Sequence, residues 1–145
     1  MKQLQKQSGF TILEIMVVLV IIGILAGMIA PSLIGQSDEA KIKKAATDIV
    51  TLENAMDMYK LNNHKYPTTE QGLDALVSAP DIDPMPKNYP EGGYIKRLPM
   101  DPWDAPYELL SPGENGKFDI YSVGPDGEPD TEDDIGNWNI DEYLQ

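Results

Sequence analysis

Six acidic side chains fall within nine residues in Asp126-Gly127-Glu128-Pro129-Asp130-Thr131-Glu132-Asp133-Asp134. Left alone they repel one another, and a hard divalent cation relieves the repulsion. Calcium takes six to eight oxygens from carboxylates and backbone carbonyls in a tolerant geometry, whereas magnesium demands a tighter octahedron, so calcium is the better candidate. The alternate spacing of the acids at 126, 128, 130 and 132 suggests an EF-hand. That pattern fails, because its sixth position is Thr131 instead of glycine and its twelfth is Asn137 instead of glutamate. A loop of another kind remains open, with Asp126 at its start, Asp133 and Asp134 at its close, and turn carbonyls such as those of Val123 and Glu128 filling the shell. The competing reading is a solvated acidic turn, a common fate for charge runs. Two features favour the ion: the loop lies between the apolar anchors 120–123 and 135–138, and Gly124 and Gly127 permit sharp turns. An ion there would order a terminal segment with little core of its own, so binding would register as folding stability.

The second chemical group is Glu14, the one carboxylate in an apolar run from Phe10 to Ala30. Burying an unpaired charge in a bilayer costs roughly 2.5–3.5 kcal/mol on insertion scales, so Glu14 calls for a positive partner. A secretory signal peptide would show 7–15 apolar residues and then a small-residue cleavage site. Here the run is longer and continues into a charged, helix-forming sequence. As a helix, residues 10–30 span on the order of 30 Å, the thickness of one hydrocarbon core. The reading is a single-pass helix, with Lys2 and Lys6 of a polar leader (1–9) on the cytoplasmic side and the acidic bulk translocated.

Composition removes other chemistries. The chain has 145 residues, a formal charge of -13 and no cysteine. Nucleic acid is excluded as a partner, since its phosphates need Lys and Arg. Disulfides, thiol catalysis and cysteine-ligated zinc are excluded as well. The one histidine, His64, sits in a polar stretch and reads as a solvated loop residue.

The elements that must position these groups follow from periodicity. Ile42, Ala45, Ile49, Leu52, Met56 and Tyr59 recur at spacings of three and four, the stripe of an amphipathic helix covering a core. Together with the apolar run this predicts one long helix ending near Asn62-Asn63 and bent at Pro31, where Gly23, Gly27 and Gly35 also weaken it. Thr68 to Val77 reads as a short helix with a hydroxyl cap and an acidic first turn, and 78–93 as a proline-rich loop. Strands are expected at Tyr107 to Leu110 and Phe118 to Val123, joined by the hairpin connection Pro112-Gly113-Glu114-Asn115-Gly116. The fold class is α+β: a long N-terminal helix packed on a small antiparallel sheet, with the acidic loop near the C-terminus.

The boundary Gly9-Phe10 and the run Phe10-Thr11-Ile12-Leu13-Glu14 resemble the class III signal of type IV pilin-like proteins. Three further segments resemble the major pseudopilins of type II secretion systems: Tyr66 to Leu73, Leu98-Pro99-Met100-Asp101-Pro102-Trp103, and Tyr121 to Gly127 with Asp133 to Trp138. The resemblance implies cleavage after Gly9 by a prepilin peptidase and methylation of the new amine on Phe10. It also implies pairing of Glu14 with that amine during assembly of a helical homopolymer. Calcium would be held by Asp126, Asp133 and Asp134 with carbonyls of Val123 and Glu128. Residues 10–30 would be the transmembrane and fibre-core helix, and 31–145 a periplasmic domain. Minor pseudopilins and an inner-membrane assembly platform would be its partners, and the fibre would export folded proteins across the outer membrane. One departure is Asp104, where that family's Asp-Pro-Trp-Gly pattern has glycine.

Two other classes compete. A type IV pilin for adhesion, motility or DNA uptake shares the N-terminal physics, but many such pilins staple a C-terminal loop with a cysteine pair, which this chain lacks. A membrane-tethered glycosidase would need two carboxylates about 5–9.5 Å apart across a sugar. The acids cluster in one turn instead, so the chain reads as no enzyme. A passive calcium-binding module would leave Glu14 unexplained.

Overall fold

The computed structural model describes residues 11–144, with side chains for all of these except 26–36. The leader, the Gly9-Phe10 junction and the Phe10 amine lie outside the described residues. The chain divides into two compact units, one ending at Glu39 and one beginning at Ala40.

Helix α1 (Ile12–Asn63) runs through both units and ends where the stripe predicts. Its first turn is closed by the Thr11 hydroxyl, which accepts the Glu14 amide at 3.2 Å. From Ile12 to Leu25 every large apolar side chain is exposed, between 47% for Val18 and 83% for Ile12. A helix apolar on all sides needs a lipid or protein environment to cover it. Among the described residues no helix is long and apolar enough to cross a membrane. The predicted span 10–30 extends past Leu25, the last residue of the apolar run whose side chain is described. The predicted bend at Pro31 falls on that same stretch, which is helical in backbone.

In the second unit α1 buries one face. Ala45, Ile49, Leu52, Met56 and Tyr59 are almost fully covered and pack with Leu73, Leu76, Tyr107, Leu109, Phe118, Ile120, Ile135 and Ile140. Burying a large aliphatic or aromatic side chain contributes roughly 1.5–3 kcal/mol, so this contiguous cluster is the main stabilising term of the head. The helix closes on His64, whose amide donates to the Lys60 carbonyl at 2.7 Å with φ +63°. His64 is thus a left-handed helix cap, a position usually given to glycine.

Three strands form an antiparallel sheet in the order β1 (Glu108–Leu110), β2 (Asp119–Ser122), β3 (Ile135–Gly136). Leu109 pairs with Ile120, and both lie in the core; Tyr121 pairs with Gly136. The β1–β2 hairpin is the one expected, and the head differs from expectation in two places. β3 is too short to carry a strand pattern, and it exists because it closes the acidic loop against β2. The helix expected from Thr68 to Val77 is only a 3₁₀ turn, Leu73–Leu76. The expected Thr68 hydroxyl contact forms one turn earlier, where Gln71 donates its amide to the Thr68 hydroxyl and Thr68 donates its own to Gln71 Oε1, while the 3₁₀ turn itself starts at Gly72 with no side-chain cap. Gly72 then takes φ +64°, ψ -174°, which no α-helix tolerates.

Two straps complete the head. Gln71, nearly fully buried, donates from Nε2 to the carbonyls of Ile82 and Pro84 and so pins the proline-rich loop. Asp101, also buried, accepts the amides of Trp103 and Ala105 on Oδ1 and the Ser122 hydroxyl on Oδ2 at 2.6 Å. Its carboxylate therefore ties the segment Leu98 to Trp103 to β2. Asp104 follows with φ +67°, the conformation that suits glycine. The aspartate bears the strain of that conformation. Asp104→Gly is expected to raise stability by up to about 1 kcal/mol, or about 2–4 °C in melting temperature, measured by thermal unfolding.

Candidate functional site

The acidic loop leaves β2 at Ser122 and returns at β3. Gly124 makes the departure possible: with φ +67°, a Cβ there would lie 2.4 Å from the Asp133 carbonyl oxygen and 2.9 Å from its Oδ2. The two ends of the loop therefore touch at a glycine. The inward side is a web of hydrogen bonds. The Asp126 amide donates to Asp133 Oδ2 at 3.2 Å, the Glu128 amide to Asp126 Oδ1 at 2.9 Å, and the Asp130 amide to Asp134 Oδ2 at 2.9 Å. Asp134 is buried and Asp133 half-buried, whereas Asp126, Glu128, Asp130 and Glu132 are exposed. Asn139 locks the exit by donating to the Asp134 carbonyl and accepting the Gly136 amide. Asn137, tested above as an EF-hand position, instead extends the β2–β3 pairing and donates to Glu53 Oε1 on α1.

The web centres on a residue that sequence reasoning missed. Around Thr131 Oγ1 lie Asp133 Oδ1 at 2.6 Å, the Glu128 carbonyl oxygen at 3.1 Å and Asp134 Oδ1 at 3.5 Å. A hydroxyl has one proton to donate, so these three acceptors cannot all be satisfied by it. The Thr131 hydroxyl, followed by the Asp126 amide, holds the Asp133 carboxyl below the usual carboxylate range. Among the described residues no group of three or more His, Cys, Asp or Glu side chains converges as a metal cluster. The atoms around that hydroxyl, two carboxylate oxygens and a carbonyl oxygen, are of the type a hard cation takes. The one sequence signal for Thr131 is a hydroxyl set among acids.

Glu14 stands at the other chemical position, in the first turn of α1 and exposed among apolar neighbours. The Phe10 amine proposed as its mate lies outside the described residues.

Near the end of α1, Tyr66 donates to Asp57 Oδ1 at 2.8 Å. Burial, reinforced by that hydrogen bond, pushes its phenol up to about 12. The folded state thus favours the neutral phenol over the unfolded chain, where tyrosine titrates near about 10. The resulting stability is complete below pH 10 and is lost as pH rises through about 12. Tyr66→Phe should remove that alkaline step from the stability curve and delete the tyrosinate absorbance step near pH 12, leaving the still later titration of buried Tyr107 in place.

Comparison with known proteins first places the chain in a class: the prokaryotic N-terminal methylation motif matches residues 4–30. The description "Type II secretion system (T2SS), protein G" matches residues 32–138, and the chain belongs to that family. The type II secretion system core protein G of Aeromonas hydrophila is 61% identical over 141 residues, covering 97% of this chain and 99% of that protein. That of Klebsiella pneumoniae is 61% identical over 137 residues, covering 94% and 98%. A crystal structure of the major pseudopilin from the type 2 secretion system of enterohaemorrhagic Escherichia coli superposes with TM-score 0.70 at 57% identity. It covers 73% of this chain and 89% of that one.

Proposed function

We propose that this chain is the major structural subunit of a type II secretion pseudopilus, which polymerises into a periplasmic fibre and drives export of folded proteins across the outer membrane. The observation that supports it most directly is the first part of α1, which exposes apolar side chains on every side in a single copy. In the proposed cycle residues 10–30 hold the subunit in the inner membrane with its head in the periplasm. The apolar helices then exchange lipid for one another in the fibre core and keep their surface out of water. Repeating one head-to-tail contact yields an open filament instead of a closed ring. A prepilin peptidase would cut after Gly9 and methylate Phe10, an assembly platform would extract subunits, and minor pseudopilins would share the fibre. The role is structural, with no catalytic residue.

Calcium belongs to the same proposal. Asp126, Asp133 and Asp134, with carbonyls of Val123 and Glu128, would hold it, and the ion would supply the positive charge that six clustered acids lack. Its part is to lock the segment between β2 and β3. The test of the whole reading is the full chain in a host carrying the secretion apparatus. Fibres by electron microscopy, and a methylated Phe10 terminus by mass spectrometry, are expected. An intact Met1 together with an absence of fibres would overturn it.

A further inference from the structure

Eleven Lys and Arg stand against 24 Asp and Glu in this chain, yet four lysines gather around one tyrosine. A groove of about 640 Å³ is lined by Lys60, His64, Tyr66 and Lys117 with Leu61 and Asp57. An adjoining cavity of about 210 Å³ shares His64 and Tyr66 and adds Lys65, Lys87 and Met85. The Lys60 ammonium lies 4.6 Å from the centroid of the Tyr66 ring. Among the described residues none of these four lysines forms an ion pair with a carboxylate. The carbonyl end of α1 attracts cations and accounts for Lys60. It does not account for Lys117, from the β1–β2 connection, or Lys87, from the proline-rich loop. The patch also exposes apolar surface, with Leu61 77% and Met85 59% exposed. Unpaired cations around exposed apolar side chains are what a protein interface presents before its partner arrives.

The complementary surface is on the same chain. In the acidic loop, Asp133 and Asp134 turn into the hydrogen-bond web, whereas Glu128, Asp130 and Glu132 are exposed, and their carboxylates accept no hydrogen bond among the described residues. We propose that the Lys60–Lys117 patch receives the Glu128–Glu132 segment of a second copy. One copy leaves both charge sets unmatched, and two copies match them. Two different patches meeting in this way make a heterologous contact, which repeats without closing unless the rotation happens to form a ring. The inference rests on the fibre reading above and assigns it a specific lateral contact.

The test uses the full chain in the secretion host, with charge reversal on each side. Lys60→Glu with Lys117→Glu is expected to lower fibre number at least fivefold, and so is Glu128→Lys with Glu132→Lys. Combining all four reversals is expected to restore fibres to near the unmodified level. Melting curves, with and without calcium, check that each variant folds; Glu128 enters the proposed ion shell only through its carbonyl, which the substitution keeps. Unchanged fibres in both reversed variants would overturn the contact. Loss without rescue in the combined variant would also overturn it, by assigning the patch to a different acidic partner. An unmodified chain that makes no fibres would instead overturn the fibre reading itself.

Discussion

Glu14→Ala chains are expected to insert, to be processed, and to form no fibres. In lipid the lone carboxylate costs roughly 2.5–3.5 kcal/mol, so its removal makes insertion easier. Assembly is different, because in the proposed fibre an apolar core would leave two charges, the Glu14 carboxylate and the Phe10 amine, with only each other as counter-ions. An opposite pair about 4 Å apart is worth about 4 kcal/mol at the effective dielectric of a protein surface and more where water is excluded. Deleting the acid would leave the amine buried and unpaired, and the whole cost of breaking such a pair, the lost attraction included, is about 3–5 kcal/mol in measured cases. Repeated at each subunit addition, such a loss stops elongation. Glu14→Asp keeps the charge with a shorter reach and should retain part of the activity, whereas Glu14→Gln should behave like alanine. The check is membrane fractionation, terminal mass spectrometry and electron microscopy of the same cells. Normal fibres from Glu14→Ala would end the pairing idea.

The second large effect concerns the acidic loop. Removing calcium from the full chain in detergent is expected to lower its melting temperature on the order of 10 °C, since a ligand at 100 times its dissociation constant stabilises by about 2.7 kcal/mol. Asp133→Asn should melt at one temperature whether or not chelator is present. It keeps an oxygen for Thr131 and loses the charge that the ion would meet. Magnesium should replace calcium poorly, because the loop offers backbone and carboxylate oxygens without a rigid octahedron. A melt indifferent to chelator, with no heat of calcium binding, would assign the loop to its own hydrogen bonds.

Much of the architecture was legible along the chain, and each success came from a local rule. The α1 stripe at Ile42, Ala45, Ile49, Leu52, Met56 and Tyr59 follows helical spacing; the last five are buried and Ile42 is partly buried against the same core. The β1–β2 hairpin follows from two apolar runs around Pro-Gly and Asn-Gly turn residues. The misses came where a distant partner decided the outcome. The 3₁₀ turn Leu73–Leu76 replaced a helix because Gly72 was free to take the left-handed region where the tertiary fold needed the chain to turn. β3 has two residues, too few for any pattern, and pairs because β2 offers an open edge. His64 is exposed, as its polar surroundings predict, yet its backbone carries the cap of α1.

Taken alone, the order of residues determined the apolar run around Glu14, the amphipathic continuation of that helix, the α+β class and the acidic loop, because each is set by neighbours within a few positions. Only the tertiary structure decided which loop acids turn inward, that Thr131 sits at their centre, that Asp104 and Gly124 occupy left-handed positions, and that Lys60, Lys87 and Lys117 meet around Tyr66. Those outcomes depend on hydrogen bonds and charges brought together from remote segments, whose energies no local periodicity encodes.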